Sequence, residues 1–251
     1  GDWRVEELSW EPLSPQAAVR VSRVHRFNTD TILLADFSMP KKGERCAELG
    51  AGCGVISLLW ALRSEPARVF AVELQEDAAA LCRESVEHNG LSGVMEVIRA
   101  DLRDSALLRG FFEPGSLDRM ACNPPYQTAG TGVESREAGE RIARHEVACT
   151  FADIAASARF FLRWGGKFCC CQRPERLPAV MAELSRAGLE PKRLRLVQQR
   201  PQKAPFLFLL EAVRGAKPGL RVEPVLFVEG DAGGWSQEIL GIYGTYKEGR
   251  I

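Results

Sequence analysis

Between residues 44 and 214, short apolar runs alternate with longer amphipathic stretches. RCAEL (45–49) predicts a short strand, the glycine-rich GAGCG (50–54) a turn, and VISLLWALR (55–63) an apolar helix. ARVFAVEL (67–74) predicts a buried, valine-rich strand ending in an acid, and QEDAAALCRESVEHNG (75–90) a helix stopped by Gly90. VMEVIRAD (94–101) and LDRMACN (117–123) are strand-like, FADIAASARFFLRW (151–164) is helical and GKFCCCQ (166–172) is a strand. RPERLPAVMAELSRAG (173–188) closes as a helix on Gly188, and LEPKRLRLVQQ and APFLFLLEAV (204–213) supply two last strands. Strands separated by helices imply βαβ units, a parallel sheet and right-handed crossovers. The first forty residues break the alternation, so 1–43 is expected to form an extension or cap packed on a core of 44–251. There is no internal repeat and no low-complexity linker.

Composition narrows this picture only modestly. A chain of 251 residues, 45% hydrophobic, suits one large α/β domain. Lys+Arg and Asp+Glu are both 33, so the chain as a whole is not drawn to nucleic acid or to an anionic membrane, and only local patches can act that way. No apolar run approaches the ~18 residues of a membrane span. The opening GDWRVEELSW lacks a signal-peptide layout, and Gly1 in place of Met reads as a cloning remnant. Cys46, Cys53, Cys82, Cys122, Cys149 and the triplet Cys169-Cys170-Cys171 form no CxxC pair, which argues against zinc or redox chemistry. Their apolar contexts point to buried free thiols in a reducing cytoplasm.

AELGAGCG places Gly50, Gly52 and Gly54 between a strand and a helix, as GxGxG rather than the dinucleotide-binding GxGxxG. Such a loop turns tightly, admits a ligand close to the backbone and points N–H groups and a helix N-terminus at it. Glu73 closes the next strand, where an acid commonly grips ribose hydroxyls, and Asp101 closes the third strand on the same edge. Ligands of open α/β sheets bind outside the carboxyl ends of strands, so these residues converge. Each feature alone is an ordinary turn or a solvated strand end; the order and spacing of all three carry the signal.

With these motifs the chain resembles the class I S-adenosylmethionine (SAM) methyltransferases. The resemblance implies a Rossmann-like seven-stranded sheet, mostly parallel with an antiparallel last strand. It also implies that Gly50, Gly52 and Gly54 border the cofactor, Glu73 holds its ribose and Asp101 meets its adenine. Glu48 matches the family's acidic position ahead of the loop, which by the resemblance counts it with the cofactor-binding residues.

Asn123-Pro124-Pro125-Tyr126 follows the fourth strand of the same series. Two prolines have fixed φ and no N–H, and the first pushes Asn123 toward an extended backbone, so this stretch holds side chains still. Within the resemblance, NPPY marks enzymes that methylate a planar amino or amide nitrogen. The Asn123 side-chain oxygen and the Pro124 carbonyl would accept both hydrogens of the NH2 group, aiming its nitrogen at the methyl donor. Tyr126 would offer a stacking face. Positioning and electrostatics then supply most of the catalysis and no metal is required.

Adenine-N6, guanine-N2 and glutamine side-chain methyltransferases all share this motif. The glutamine enzymes carry a helical domain ahead of the glycine loop, for which the forty residues here are too few. RVHRFNTDTILLADF (23–37), SREAGERIARHE (135–146) and the tail KPGLRVEPVLFVEG resemble the tRNA-valine adenine-N6 methyltransferases, which modify the adenine just 3′ of the anticodon. That implies a tRNA or other structured RNA as substrate. It also implies that Phe27, Thr29 and Asp30 close over the amino-acid end of SAM, with Asn123 beside it. Asn28-Thr29-Asp30 also reads as a helix N-cap, and both readings can hold.

Residues 127–150 are long for a βα connection. The pairs Glu137–Arg141 and Glu140–Arg144 predict a helical second half, serving as a substrate lid or as a plain surface helix. His25, His88 and His145 are assigned no proton-transfer role. Nine cations against two acids between 186 and 221 form a basic stripe, with Arg193, Arg195, Arg200 and Lys203 as candidate phosphate contacts. The competing functions are N-methylation of a protein glutamine or a guanine base, and a non-catalytic RNA-binding module. The intact acceptor pair of NPPY argues against the module.

Overall fold

Period-two burial decides which way each central strand faces. In β3 (Arg45–Leu49), Cys46 and Glu48 point to one face of the sheet, while Ala47 and Leu49 point to the other. In β4 (Arg68–Glu73), Val69 and Ala71 join the first face, Phe70 and Val72 the second. Such two-sided burial is what a parallel sheet covered by helices requires. The computed structural model describes residues 7–124 and 149–244.

Helix α1 (Thr29–Phe37) follows a hairpin of β1 (Leu8–Pro12) and β2 (Ala18–Ser22). After β3 come α2 (Val55–Arg63), β4, α3 (Glu76–His88), β5 (Met95–Arg99), the one-turn α4 (Ser105–Leu108) and β6 (Leu117–Cys122). The chain continues through α5 (Phe151–Phe161), β7 (Leu162–Gln172), a 3-10 turn (Pro174–Arg176), α6 (Leu177–Arg186), β8 (Leu189–Gln198) and β9 (Leu207–Arg214). Two-residue strands β10 (Arg221–Val222) and β11 (Leu226–Phe227) precede α7 (Gln237–Tyr243).

The main strands lie in the order β8-β9-β7-β6-β3-β4-β5. Neighbours from β7 to β5 run parallel, and β9 is antiparallel to both β7 and β8. This is the expected seven-stranded sheet with an antiparallel last strand; β10 and β11, unforeseen, extend it beside β8. Two helix boundaries differ from the expectation. Residues 173–176, expected to open a helix, lead into α6 through a 3-10 turn. Residues 162–164, expected to finish a helix, turn extended at Leu162 (φ −69°, ψ 139°) and open β7. There Leu162 pairs with Leu117, and a register shift absorbs Gly165 and Gly166 before Lys167 pairs with Arg119.

The N-terminal segment is stitched to α3. Asn89 accepts from the Ala18 N–H (3.1 Å) and donates to the Ala18 carbonyl (2.7 Å), Ser85 Oγ accepts from the Arg20 N–H (2.8 Å), and Trp10 stacks on His88. Val19 and Val21 are buried in the same core as α2 and α3. No helix among the described residues is long and apolar enough to cross a membrane.

Gly54 shows how tightly the glycine turn is built into this core. It sits at φ +93°, and a Cβ there would lie 2.3 Å from the Sγ of buried Cys82 on α3. Left-handed strain plus overpacking should make Gly54→Ala less stable by roughly 2–4 kcal/mol. Urea unfolding of the variant checks this, and an unchanged midpoint would refute it.

Candidate active site

The carboxyl ends of β3, β4, β5 and β6 meet on one edge, and the turns after them carry the predicted residues. Gly50 and Gly52 adopt φ +67° and +58°, and Cβ atoms built on them would meet nothing within 4 Å. The turn is therefore an open-faced cradle that a ligand can approach to backbone distance. Glu73, at the end of β4, holds that cradle in place. One carboxylate oxygen accepts from the Gly52 N–H at 2.8 Å, the other from the Gln75 N–H at 2.7 Å. A carboxylate has about four acceptor sites, so lone pairs remain for a diol.

Asp101 follows β5 on the same edge. Its carboxylate is engaged by the Arg103 guanidinium at 2.7 Å and by the Arg103 N–H at 2.8 Å, which closes the chain into a turn. Glu48 is placed differently from a ligand contact. It is buried, and its Oε1 accepts from the Ser57 N–H (3.1 Å) and Ser57 Oγ (2.7 Å), tying β3 to the first turn of α2 beneath the glycine loop. Its side chain supports the cradle from behind.

Burial pushes the Glu48 carboxyl up to about 8, against the pull of the two Ser57 bonds and with nearby Glu73 adding to the rise. Its folded value thus lies above the unfolded 4.5. Between those values the folded chain keeps a proton that the unfolded chain has released, so stability falls as pH rises through the window. The expected loss is on the order of 2–4 kcal/mol, and Glu48→Gln, which keeps the acceptor oxygen, should flatten it. Urea midpoints at about pH 5 and about pH 9 for both proteins test this; equal slopes would contradict it.

Asn123 lies just past β6, between α1 and β7. Its Nδ2 donates to Thr31 Oγ1 (3.4 Å), and its Oδ1 accepts from the Cys171 thiol (3.3 Å). The Thr31 hydroxyl in turn donates to Asn28 Oδ1 (3.3 Å), and the same Asn28 oxygen caps α1 by accepting from the Thr31 N–H. A hydrogen-bonded chain therefore links the α1 N-terminus to the Asn123 carboxamide and fixes which of its ends is the acceptor. Thr29 and Asp30 belong to this first turn of α1, and Phe27, just before it, packs half-buried on the core. Thr29 Oγ1 also accepts from the Tyr243 hydroxyl at 3.3 Å, while Arg63 donates to the carbonyls of Ile242 and Tyr243 and holds the end of α7. Pro124 is buried. Pro125, Tyr126 and almost all of the expected lid 127–150 lie outside the described residues.

Sequence reasoning misses Thr31, Cys171 and Tyr243. Cys171 reads in the sequence as one more core thiol, and all eight cysteines are indeed free, seven of them buried. Only the pairing of β6 with β7 reveals that this one ends beside Asn123.

A sequence profile of the family described as "Methyltransferase small domain" matches residues 25–169. The chain belongs to that family. Curated relatives of this methyltransferase include proteins named tRNA1(Val) (adenine(37)-N6)-methyltransferase. The one from Shewanella loihica is 26% identical over 86% of this chain and 89% of its own. That from Shewanella halifaxensis is 27% identical over 78% and 72%. The match to the Shewanella sp. (strain MR-4) protein is 29% identical, and the chain spans about half the length of that relative (52%). Among solved structures, a protein described as a predicted O-methyltransferase from Agrobacterium tumefaciens superposes with TM-score 0.70 at 19% identity, covering 87% of this chain and 97% of that one. M. jannaschii TYW2, solved with AdoMet, gives 0.55 at 13% identity over 84% and 87%. The methyltransferase thus has the class I fold, whose cofactor is SAM, and the open glycine cradle with Glu73 on its floor fits that cofactor.

The basic stripe is divided by the structure. Arg193 donates to Glu211 (2.8 Å), to the Phe37 carbonyl (2.7 Å) and to Glu223 (3.3 Å), with its guanidinium over the Phe37 ring. Burial alone would raise the Glu211 carboxyl, yet this guanidinium holds it below its ordinary value. Arg195 pairs with Glu238 on α7 and donates to the Pro224 carbonyl. These two of the four expected phosphate contacts are thereby engaged in internal packing. Arg200, at 3.4 Å from Glu229, and Lys203 stay exposed in the turn between β8 and β9.

Proposed function

We propose that this protein methylates the exocyclic N6 amino group of an adenine in tRNA, the base next to the anticodon of a valine tRNA. SAM supplies the electrophilic methyl group. Gly50, Gly52 and Glu73 bind the nucleoside part of the cofactor, with Asp101 toward the adenine and the first turn of α1 toward the amino-acid end. Asn123 Oδ1 and the Pro124 carbonyl accept the two hydrogens of the target amine, which fixes the amine plane and directs its lone pair to the methyl carbon. As the N–CH3 bond forms, the S–CH3 bond would break and S-adenosylhomocysteine would leave; the nitrogen becomes acidic, the same two acceptors stabilise its developing charge, and one N–H proton is then lost to solvent.

The observation that carries this reading is the placement of Asn123. It stands on the same sheet edge as the glycine cradle, with its carboxamide held from both sides by Thr31 and Cys171. The names of the curated relatives support adenine in tRNA over the other planar amines. The free thiols fit a reducing compartment.

Methyl transfer from labelled SAM tests the acceptor class directly. Incubation with unmodified valine tRNA should label the RNA, while a glutamine-containing peptide should stay unlabelled. Label in the peptide alone would overturn the reading.

A further inference from the structure

Past Asn123 the carboxyl edge continues across β7 and β9 to β8. Two short connections cap it there, residues 173–176 after β7 and residues 199–206 between β8 and β9. Phe206 is 38% exposed at the end of the second connection, although its N–H is fixed to the Val197 carbonyl at 3.0 Å. The register of β7 with β9 ends at Gln172–Phe208, so Phe206 stands beyond the last paired residues, at the rim. It is two strands from β6, roughly 10 Å sideways, and roughly 10 Å further out along the strand than Asn123.

We propose that these two connections form the landing surface for a single-stranded RNA segment, with Phe206 as the ring on which a nucleotide flanking the target base stacks. The proposal rests on the RNA reading above. An aromatic left more than a third exposed on a fixed backbone at the rim of this edge offers a base a flat partner with little entropy left to lose. The same two connections carry Arg176, Arg200 and Lys203, all exposed, against the carboxylates of Glu175 and of Glu229, which faces Arg200. This excess of positive charge on an otherwise neutral chain suits a phosphate backbone and gives a peptide glutamine nothing specific to bind. The loop itself is preordered. Pro201 and Pro205 restrict its backbone, and the Gln198 side chain donates to the Lys203 carbonyl at 2.8 Å.

Binding of unmodified valine tRNA to the full chain, measured across a salt series, tests the surface, with SAM affinity by calorimetry as the folding control. Phe206→Ala should weaken tRNA binding roughly five- to hundredfold with the salt slope unchanged, and Phe206→Trp should restore it. The double variant Arg200→Ala, Lys203→Ala should instead flatten the slope, by about 0.7 for each phosphate left without its cation. If Phe206→Ala also loses SAM affinity, Phe206→Leu, which keeps apolar bulk without the ring, takes its place. Wild-type tRNA affinity in the folded variant that lacks the ring, together with a wild-type slope in the double variant while the unaltered protein methylates tRNA, would remove the surface and leave the function standing. A wild-type chain that neither binds nor methylates tRNA and instead labels a glutamine peptide would remove both.

Discussion

Asn123→Ala is expected to lower methyl transfer by about a hundredfold or more while SAM affinity stays unchanged, the scale of losing one preorganised polar group at the reacting centre. The division follows from where the side chain stands. The proposed cofactor cradle is built from the turn after β3 and the acid that ends β4, and Asn123 contributes no bond to either. What it does touch is Thr31 and Cys171, which orient its carboxamide. Single-turnover kinetics with saturating SAM separates the chemical step from binding. A well-folded variant in which SAM affinity collapses together with turnover would show that Asn123 serves the cofactor rather than the acceptor amine.

The second large effect belongs to Glu73. Glu73→Ala removes the carboxylate proposed to hold the ribose and also releases the Gly52 and Gln75 N–H groups that it holds. SAM affinity should fall by roughly 1.5–3 kcal/mol, about ten- to 150-fold. Glu73→Gln keeps one acceptor oxygen and should lie between. The loss should appear in calorimetry before any acceptor is added. Unchanged SAM affinity in folded Glu73→Ala would withdraw this acid from the cofactor site.

Most of the frame is legible in the sequence because its determinants are local. The short apolar runs of β3 and β4, the glycines after β3 and the prolines after β6 each act over a few residues, and their order along the chain already implies a common edge. The sheet order and the antiparallel β9 come through family resemblance, since neither leaves a mark in local periodicity. What stays hidden depends on partners far away in sequence. Arg193 and Arg195 look like open cations until Glu211 and Glu238 arrive from β9 and α7. Glu48 looks like a ligand contact until the first turn of α2 brings Ser57 onto its carboxyl. The helix beginning at Phe151 ends three residues sooner than its composition suggests, because pairing with Leu117 claims Leu162 for the sheet. Phe206 passes for one more apolar residue of a strand, and only its exposure at the rim marks it out.

The central claim is that this edge methylates N6 of adenine in tRNA. Its most direct test is mass spectrometry of nucleosides from unmodified valine tRNA incubated with the protein and isotope-labelled SAM. The account predicts labelled N6-methyladenosine beside the anticodon, abolished by Asn123→Ala. Labelled N2-methylguanosine, or tRNA without label while a glutamine peptide gains it, would contradict it.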